Sequence, residues 1–513
     1  MVLRQSGHFL PLGSEFLFNG RAGCLSFLAF ALACVSGISS AQAAPPTNYD
    51  GRTAGPYSYE TPVKDQYPHG VCWSFAATAA MESSLLRQGY ITNPSSALVD
   101  FSEAHLARFY GNNDTGIDMA GGSRFQALGY YARGRGPILE SAYPYPGATG
   151  DPVGSYPRQA WLTSQLYLDA SGTNHAASRD EIKSAIMANG VLTTSMYYDQ
   201  AYYNSASNSY YCGGIAVINH DVTIIGWDDT KVTSAATPGA WLIKNSWGSL
   251  WGQGGYFWLS YADGNAAKQC TAYGASPATS YRAVYQNQTD APMSFWGINY
   301  GAARFTSDQS QLLKSVGLYT QDYGAKYTIS VYSGWSGSAP TGLLCTQNGT
   351  LDWPGYHVVD LSATPMLGAG EDFVVTINLP AVSGGASNRL AMDTNSGDPA
   401  GLTYYSNDGN TWTDMQGLDG DNVLFLKALT QVALPGDANT DATVAFADYQ
   451  ILEANFATGP GMTWSQGDFN GDGYVTFADY QQLEANFGHS APEPAGLALL
   501  ALGGLAMLRR RQR

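Results

Sequence analysis

The chain has 513 residues, with 25 Lys and Arg against 41 Asp and Glu and a formal net charge of −16. That length suits two or three domains, and the acidic balance excludes a basic nucleic-acid-binding surface, so no nucleic acid is expected as a partner. Tyr, Gly, Ser, Thr and Asn are plentiful, which suits β-rich extracellular modules.

Residues 1–44 read as a signal peptide. Arg4 and Arg21 give the positive flank, Cys24 to Ile38 an apolar core, and Ala41-Gln42-Ala43 a small-x-small cleavage pattern. A membrane anchor is the alternative, and the short apolar run weighs against it.

The stretch Lys64-Asp65-Gln66-Tyr67-Pro68-His69-Gly70-Val71-Cys72-Trp73-Ser74-Phe75 comes next. Cys72 opens a run to Gln88 rich in Ala, Ser, Met, Glu and Leu, and Gly89 ends it like a helix cap. A thiol at a helix N-terminus faces the positive end of the dipole, which favours the thiolate and hence a nucleophile. Gln66 can bring an amide donor near that thiol, and with the Cys72 backbone N–H it would hold the oxyanion of a tetrahedral intermediate. Such a nucleophile needs a base and a group that orients the base. In Asn219-His220-Asp221-Val222-Thr223-Ile224-Ile225-Gly226-Trp227 a His enters an apolar strand, and in Trp241-Leu242-Ile243-Lys244-Asn245-Ser246-Trp247-Gly248 an Asn leaves another.

Together these stretches resemble the Gln, Cys-Trp, His and Asn-Ser-Trp-Gly motifs of papain-family cysteine peptidases, in the family's order. His220 follows Cys72 by 148 residues, within the expected interval, and Asn245 at 173 runs slightly beyond it. The resemblance implies an α+β peptidase of two lobes over residues 50–283, with Cys72, His220, Asn245 and Gln66 as the catalytic set and no cofactor for catalysis. His175, in Asn174-His175-Ala176, copies the family's Asn-His-Ala more literally. It leads into a helix-like run rather than a Val/Ile strand, so His220 is the expected base. Gly121-Gly122 matches the paired glycines whose backbone bonds an extended substrate, a plain turn being the alternative. Trp247 would shield the Asn–His hydrogen bond beside the cleft. Asp221 stands where relatives have a small residue lining the pocket for the substrate side chain two before the cut. A carboxylate there would favour Lys or Arg in that side chain; pairing of Asp221 with Lys244 is the alternative.

Three departures stand out. The positions of a family half-cystine pair hold His69 and Met119, Val71 replaces a small residue before the nucleophile, and no room remains after residue 44 for a long inhibitory prosegment. With Cys24 and Cys34 in the signal peptide and Cys72 catalytic, Cys212, Cys270 and Cys345 allow one disulfide at most. Cys212–Cys270 is the expected pair.

Residues 284–431 carry short alternating strands such as Tyr327–Tyr332 and Asp372–Ile377 between Gly, Pro, Ser and Asn turns, the pattern of an all-β sandwich. Val316-Gly317-Leu318-Tyr319-Thr320, Gly355–Leu361 and Ser406–Trp412 resemble the lectin-like domain of bacterial papain relatives. That resemblance implies a carbohydrate partner, with a structural or substrate-presenting role as the alternative.

Residues 434–489 hold a repeat: Gly436-Asp437-Ala438-Asn439-Thr440-Asp441 recurs as Gly467-Asp468-Phe469-Asn470-Gly471-Asp472. Each copy continues into a helix-like Phe-Ala-Asp-Tyr-Gln. Asp437, Asn439, Asp441 and Asp448, then Asp468, Asn470, Asp472 and Asp479, stand at loop positions 1, 3, 5 and 12, the spacing of calcium ligands. The loop–helix pair resembles a type I dockerin, which implies Ca²⁺ and a cohesin-like partner; an acidic loop without metal is the alternative. Gly473 provides the turn in the second loop where the first has Ala442, so the first should bind less readily.

The tail 491–513 contains Pro492-Glu493-Pro494, an apolar run Ala495–Leu508 and Arg509-Arg510-Arg511. It resembles a PEP-CTERM sorting signal, which implies a C-terminal sorting enzyme as partner and the outer envelope of a Gram-negative-type bacterium as destination. A permanent anchor is the alternative. The whole reads as a secreted or surface-sorted cysteine endopeptidase acting on polypeptides. Its rival is a non-catalytic surface adhesin in which the peptidase fold is a scaffold, and the intact catalytic set argues against that.

Overall fold

Helix Cys72–Arg87 is buried along nearly its whole length, from Trp73 to Leu86, which explains its mixture of small and apolar side chains with almost no charge. Full burial of Met81, Leu85 and Leu86 contributes about 2 kcal/mol each. Its buried hydroxyls are partnered: Ser84 Oγ accepts from the Ala275 N–H at 3.0 Å, and Ser83 Oγ accepts from the Val191 N–H at 3.0 Å. Gly89, with φ of +77°, takes the left-handed turn after the helix. These coordinates are a computed structural model that describes residues 44–111, 121–146, 156–172, 175–292, 294–382, 385, 389–394, 400–419 and 422–490. The expected signal peptide, Met119, Asn174 and the tail from Pro492 onward lie outside the described residues. Among the described residues no helix is long and apolar enough to cross a membrane.

Around that helix stand helices Glu103–Phe109 and Arg124–Ala132, capped by Ser102 and Ser123, in a helical lobe. The second lobe is a sheet. Helix Arg179–Asn189 starts at a Ser178/Glu181 capping box and stops at Gly190, φ +93°. Strand Leu192–Met196 follows, with alternate residues buried as its pattern requires. Strand His220–Asp228 pairs antiparallel with it and with strand Ala240–Lys244. The segment before Cys72 belongs to this lobe, since Asn48–Asp50 pairs with Gly226–Asp228 and Tyr49 stacks on Trp227.

The β-rich region after residue 283 is joined to the peptidase through one sheet. Strand Gly355–Asp360 pairs with strand Ala160–Asp169 through Gly355↔Leu166 and His357↔Ser164. That links a single 14-stranded sheet from Ala283–Gln286 at one end to Tyr203–Asn204 at the other. A six-stranded and a three-stranded sheet complete the region. The region is β-rich, with one short helix at Gln416–Asp419, and a strand edge in it and one in the peptidase satisfy each other's backbone groups. The repeats pack against the same body: Leu312 shares a core with Ala438, Val444, Trp464 and Leu483, and Lys314 Nζ donates to Thr440 O at 3.0 Å. Their helices are Phe446–Asn455 and Phe477–Asn486.

The expected Cys212–Cys270 disulfide is absent. Cys72, Cys212, Cys270 and Cys345 are all free thiols. Cys212 and Cys270 share a core, yet the Cys212 thiol turns to Gly214 O and the Cys270 thiol to Ala267 O at 3.5 Å. Each behaves as a small apolar side chain with a local acceptor.

Candidate active site

Cys72 is the first residue of its helix, after Val71, so its sulfur sits beside first-turn N–H groups that have no acceptor within the helix. The Asp221 backbone N–H donates to Cys72 Sγ at 3.4 Å, which brings the thiol to the start of the strand that His220 opens. His220 Nε2 is hydrogen-bonded to Asn245 Oδ1 at 2.8 Å, so Nδ1 is the ring nitrogen that Asn245 leaves unengaged. Trp247 stacks on the imidazole with ring centroids 4.6 Å apart and an interplanar angle of 20°. Trp247 therefore covers the His–Asn pair, and the cleft is lined by other residues. His175 is elsewhere: it bonds Glu181 Oε1 at 3.0 Å and packs on Tyr323.

Burial shapes the electrostatics. It pushes the Cys72 thiol up to about 11, the Asp221 charge adding to the effect, while N–H groups of Asp221, Trp73 and Cys72 pull it back. Burial likewise pushes His220 down to about 4, against the opposing hydrogen bond that its Nε2–H gives to Asn245 Oδ1. Both shifts favour the uncharged forms of thiol and imidazole and oppose the thiolate that the helix dipole favours.

Gln66 is held at both ends of its amide. Nε2 donates to His69 O at 3.0 Å, and Oε1 accepts from Ser246 Oγ at 2.6 Å. One N–H of the amide is thereby committed to His69, and the amide carries a second N–H beside it. Ser246, within the Asn245 motif, had no role assigned from sequence; a hydroxyl directly after Asn245 was the available signal. Lys64 anchors the same loop from below, donating to Glu103 Oε1 at 2.7 Å and Glu82 Oε1 at 3.2 Å.

A cleft of about 300 Å³ opens beside Cys72 and His220, with Gly121, Gly122, Arg124 and Asp221 on its walls. Gly122 must lack a Cβ, because one would come within 2.5 Å of the Trp73 indole. The Asp221 carboxylate accepts from Ser195 Oγ at 2.6 Å. It does not pair with Lys244, whose ammonium lies 2.5 Å from Glu60. Arg124, two residues after the glycines, escaped the sequence reading.

In the repeats, Asp437, Asp448, Asp468 and Asp479 are buried. Asp448 accepts from the N–H groups of Ala438, Asn439 and Ala445, and Asp479 from those of Phe469, Asn470 and Thr476. Asp437 and Asp468 likewise take loop N–H groups of Ala442 and Gly473 at 2.8 Å each. Asn439 donates to Asp441 at 2.9 Å and Asn470 to Asp472 at 3.0 Å. Among the described residues no three His, Cys, Asp or Glu side chains converge on a metal position. The donor chemistry nonetheless fits a hard cation: every candidate ligand offers oxygen, and the N–H groups leave the net negative charge in place. Burial pushes Asp437 up to about 7.

Comparison with known proteins agrees with this geometry. A family model described as papain family cysteine protease matches residues 45–276, and one described as lectin like domain matches residues 284–430. Macrodontain-1 of Ananas macrodontes is 32% identical over 208 residues, 39% of this chain and 83% of that protein. Fruit bromelain of Ananas comosus is 31% identical over 223 residues, 42% of this chain and 55% of that protein. A cathepsin L-like peptidase of Aedes aegypti is 31% identical over 234 residues, 43% of this chain and 61% of that protein. The chain thus spans little more than half the length of several curated relatives. The solved cysteine protease and lectin-like domains of Cwp84, a surface layer associated protein of Clostridium difficile, superpose with a TM-score of 0.63. They share 26% identity, over 75% of this chain and 89% of that one.

Proposed function

The chain belongs to the papain family of cysteine proteases, and from that premise we propose that it is a secreted or surface-sorted endopeptidase that cuts polypeptides through Cys72, His220, Asn245 and Gln66. The observation that carries this reading is an imidazole tied at Nε2 to Asn245, on the strand whose next N–H meets the Cys72 sulfur. His220 Nδ1 takes the thiol proton as Cys72 Sγ attacks the scissile carbonyl carbon. The Cys72 N–H and the remaining Gln66 N–H stabilise the oxyanion. His220 then gives its proton to the leaving amine, and water, deprotonated by the same imidazole, releases the acid from the thioester. Asn245 keeps the ring in the tautomer and orientation this requires, and Trp247 keeps water from their hydrogen bond. Gly121 and Gly122 offer bare backbone to an extended substrate. The test is a fluorogenic peptide assay with a thiol-directed inhibitor. Inhibition is expected to track one adduct on Cys72, with Cys212, Cys270 and Cys345 unlabelled; turnover that survives full labelling of Cys72 would refute the reading.

The outer regions extend it. Asp437, Asn439, Asp441 and Asp448, and Asp468, Asn470, Asp472 and Asp479, are the groups that would hold Ca²⁺, which would neutralise the buried carboxylates and order the loops. A dockerin-like module of this kind would engage a cohesin-like partner, and the lectin-like domain a carbohydrate. The proposed delivery to the cell surface is supported by the likeness to a surface layer associated protein and by the resemblance of the two ends to a signal peptide and a PEP-CTERM tail.

A further inference from the structure

The cleft beside Cys72 contains charges of both signs. On one wall Asp221 is fixed by Ser195 Oγ at 2.6 Å. On another, the Arg124 guanidinium lies 3.8 Å above the Tyr167 ring and 4.4 Å from the Phe125 ring. The backbone under Arg124 is tied down as well, its carbonyl accepting from Gln165 Nε2 at 2.9 Å. The Tyr319 hydroxyl lies close enough for the guanidinium charge to act against the effect of its burial. Tyr319 comes from strand Gln311–Thr320 of the lectin-like region, where it is buried against Phe295. Arg124 and Asp221 feel each other's charge without a hydrogen bond between them, so each keeps bonding capacity toward a substrate.

We propose that this cleft selects, through Asp221 and Arg124 together, a substrate side chain that ends in a carboxamide, and that the lectin-like domain takes part by holding Arg124 with Tyr319. The inference rests on the peptidase reading above. A carboxamide carries a donor for Asp221 and an acceptor for Arg124 on one carbon. A lysine gains Asp221 and meets Arg124, a glutamate gains Arg124 and meets Asp221, and an aliphatic chain strips water from both charges while bonding neither. The carboxylate alone would have favoured a basic side chain; the guanidinium cancels that preference. Tyr319 acts through Arg124 and is a positioning residue.

The experiment is a peptide library varied at each position around the cut, run on the full chain as wild type, Arg124→Met, Asp221→Asn and Tyr319→Phe. At one position wild type is expected to prefer Gln or Asn over Lys, Glu and Leu by about tenfold or more, the size of a hydrogen bond to a charged group. Arg124→Met should move the preference to Lys and Asp221→Asn to Glu. Tyr319→Phe should raise KM for the carboxamide peptide more than for its alanine counterpart, a difference that a general loss of stability would not produce. Should Arg124→Met fold poorly, Arg124→Lys keeps the charge but loses the planar fork, and it too should erode the carboxamide preference. Cys72-dependent cleavage in which wild type and the Arg124 variant rank these side chains alike overturns the inference alone. Absence of any Cys72-dependent cleavage by wild type overturns the peptidase reading beneath it.

Discussion

The peptidase cleft and the two repeat loops both withdraw polar groups from water, and they resolve the cost in different ways. Around the Cys72–His220 pair the buried polar groups are amides, a hydroxyl and an imidazole matched within the chain: His220 with Asn245, Gln66 with Ser246 and His69. In the loops the buried groups are carboxylates, and their partners are amide N–H groups of the same loop. Amide dipoles satisfy lone pairs but do not cancel net charge. A neutral site can therefore be completed by the chain itself, whereas an anionic one keeps charge that a bound cation would neutralise.

The sharpest way to break the cleft's side of this comparison is Gln66→Ala. Turnover should fall about a hundredfold or more, because one oxyanion donor is lost, while Cys72 alkylates as before. Loss of alkylation as well would mean that Gln66 supports the fold of the loop rather than the transition state. Next in size is the acid limb of kcat/KM. Burial pushes His220 down to about 4, and only the neutral ring can take the thiol proton, so activity lies on the alkaline side of that value. Below about pH 4 the rate should drop about tenfold per pH unit; a limb near the ordinary histidine value would contradict a buried, neutral base.

On the loop side, chelation of calcium from the full chain should expose residues 436–488 to limited proteolysis and leave peptide turnover in the cleft unchanged. Equal protection with and without chelator would remove the need for a cation. The smallest effect separates the two loops. Thr440 and Ala442 adopt φ of +56° and +70° where the second loop has Gly471 and Gly473 at +75° and +84°. Ala442→Gly should relieve about 1 kcal/mol of backbone strain, read as about fivefold tighter calcium binding at the first loop by titration calorimetry.

Local patterns were the legible part of this molecule. Cys72 at a helix start, His220 entering an apolar strand and Asn245 leaving one are properties of short windows, and the chain adopts them as windows. What could not be read were pairings across long separations. Nothing in Gly355–His357 names Ser164–Leu166 as its sheet partner, because a strand's edge hydrogen bonds are made by backbone, which every sequence shares. The partner of Asp221 depended on Lys244 being claimed by a buried Glu60, and the free state of Cys212 and Cys270 on which local carbonyl each thiol met. Arg124 drew no attention because a charged residue after a glycine turn is ordinary until a second domain packs over it.

The central claim is that the chain's chemistry runs through one thiol. The most direct test is steady-state hydrolysis of a fluorogenic peptide by the full chain and by its Cys72→Ala variant, with thermal unfolding followed by circular dichroism. Alanine suits a helix start, so the variant should unfold as wild type does and lose turnover to background. Hydrolysis near the wild-type rate from a folded Cys72→Ala protein would contradict it.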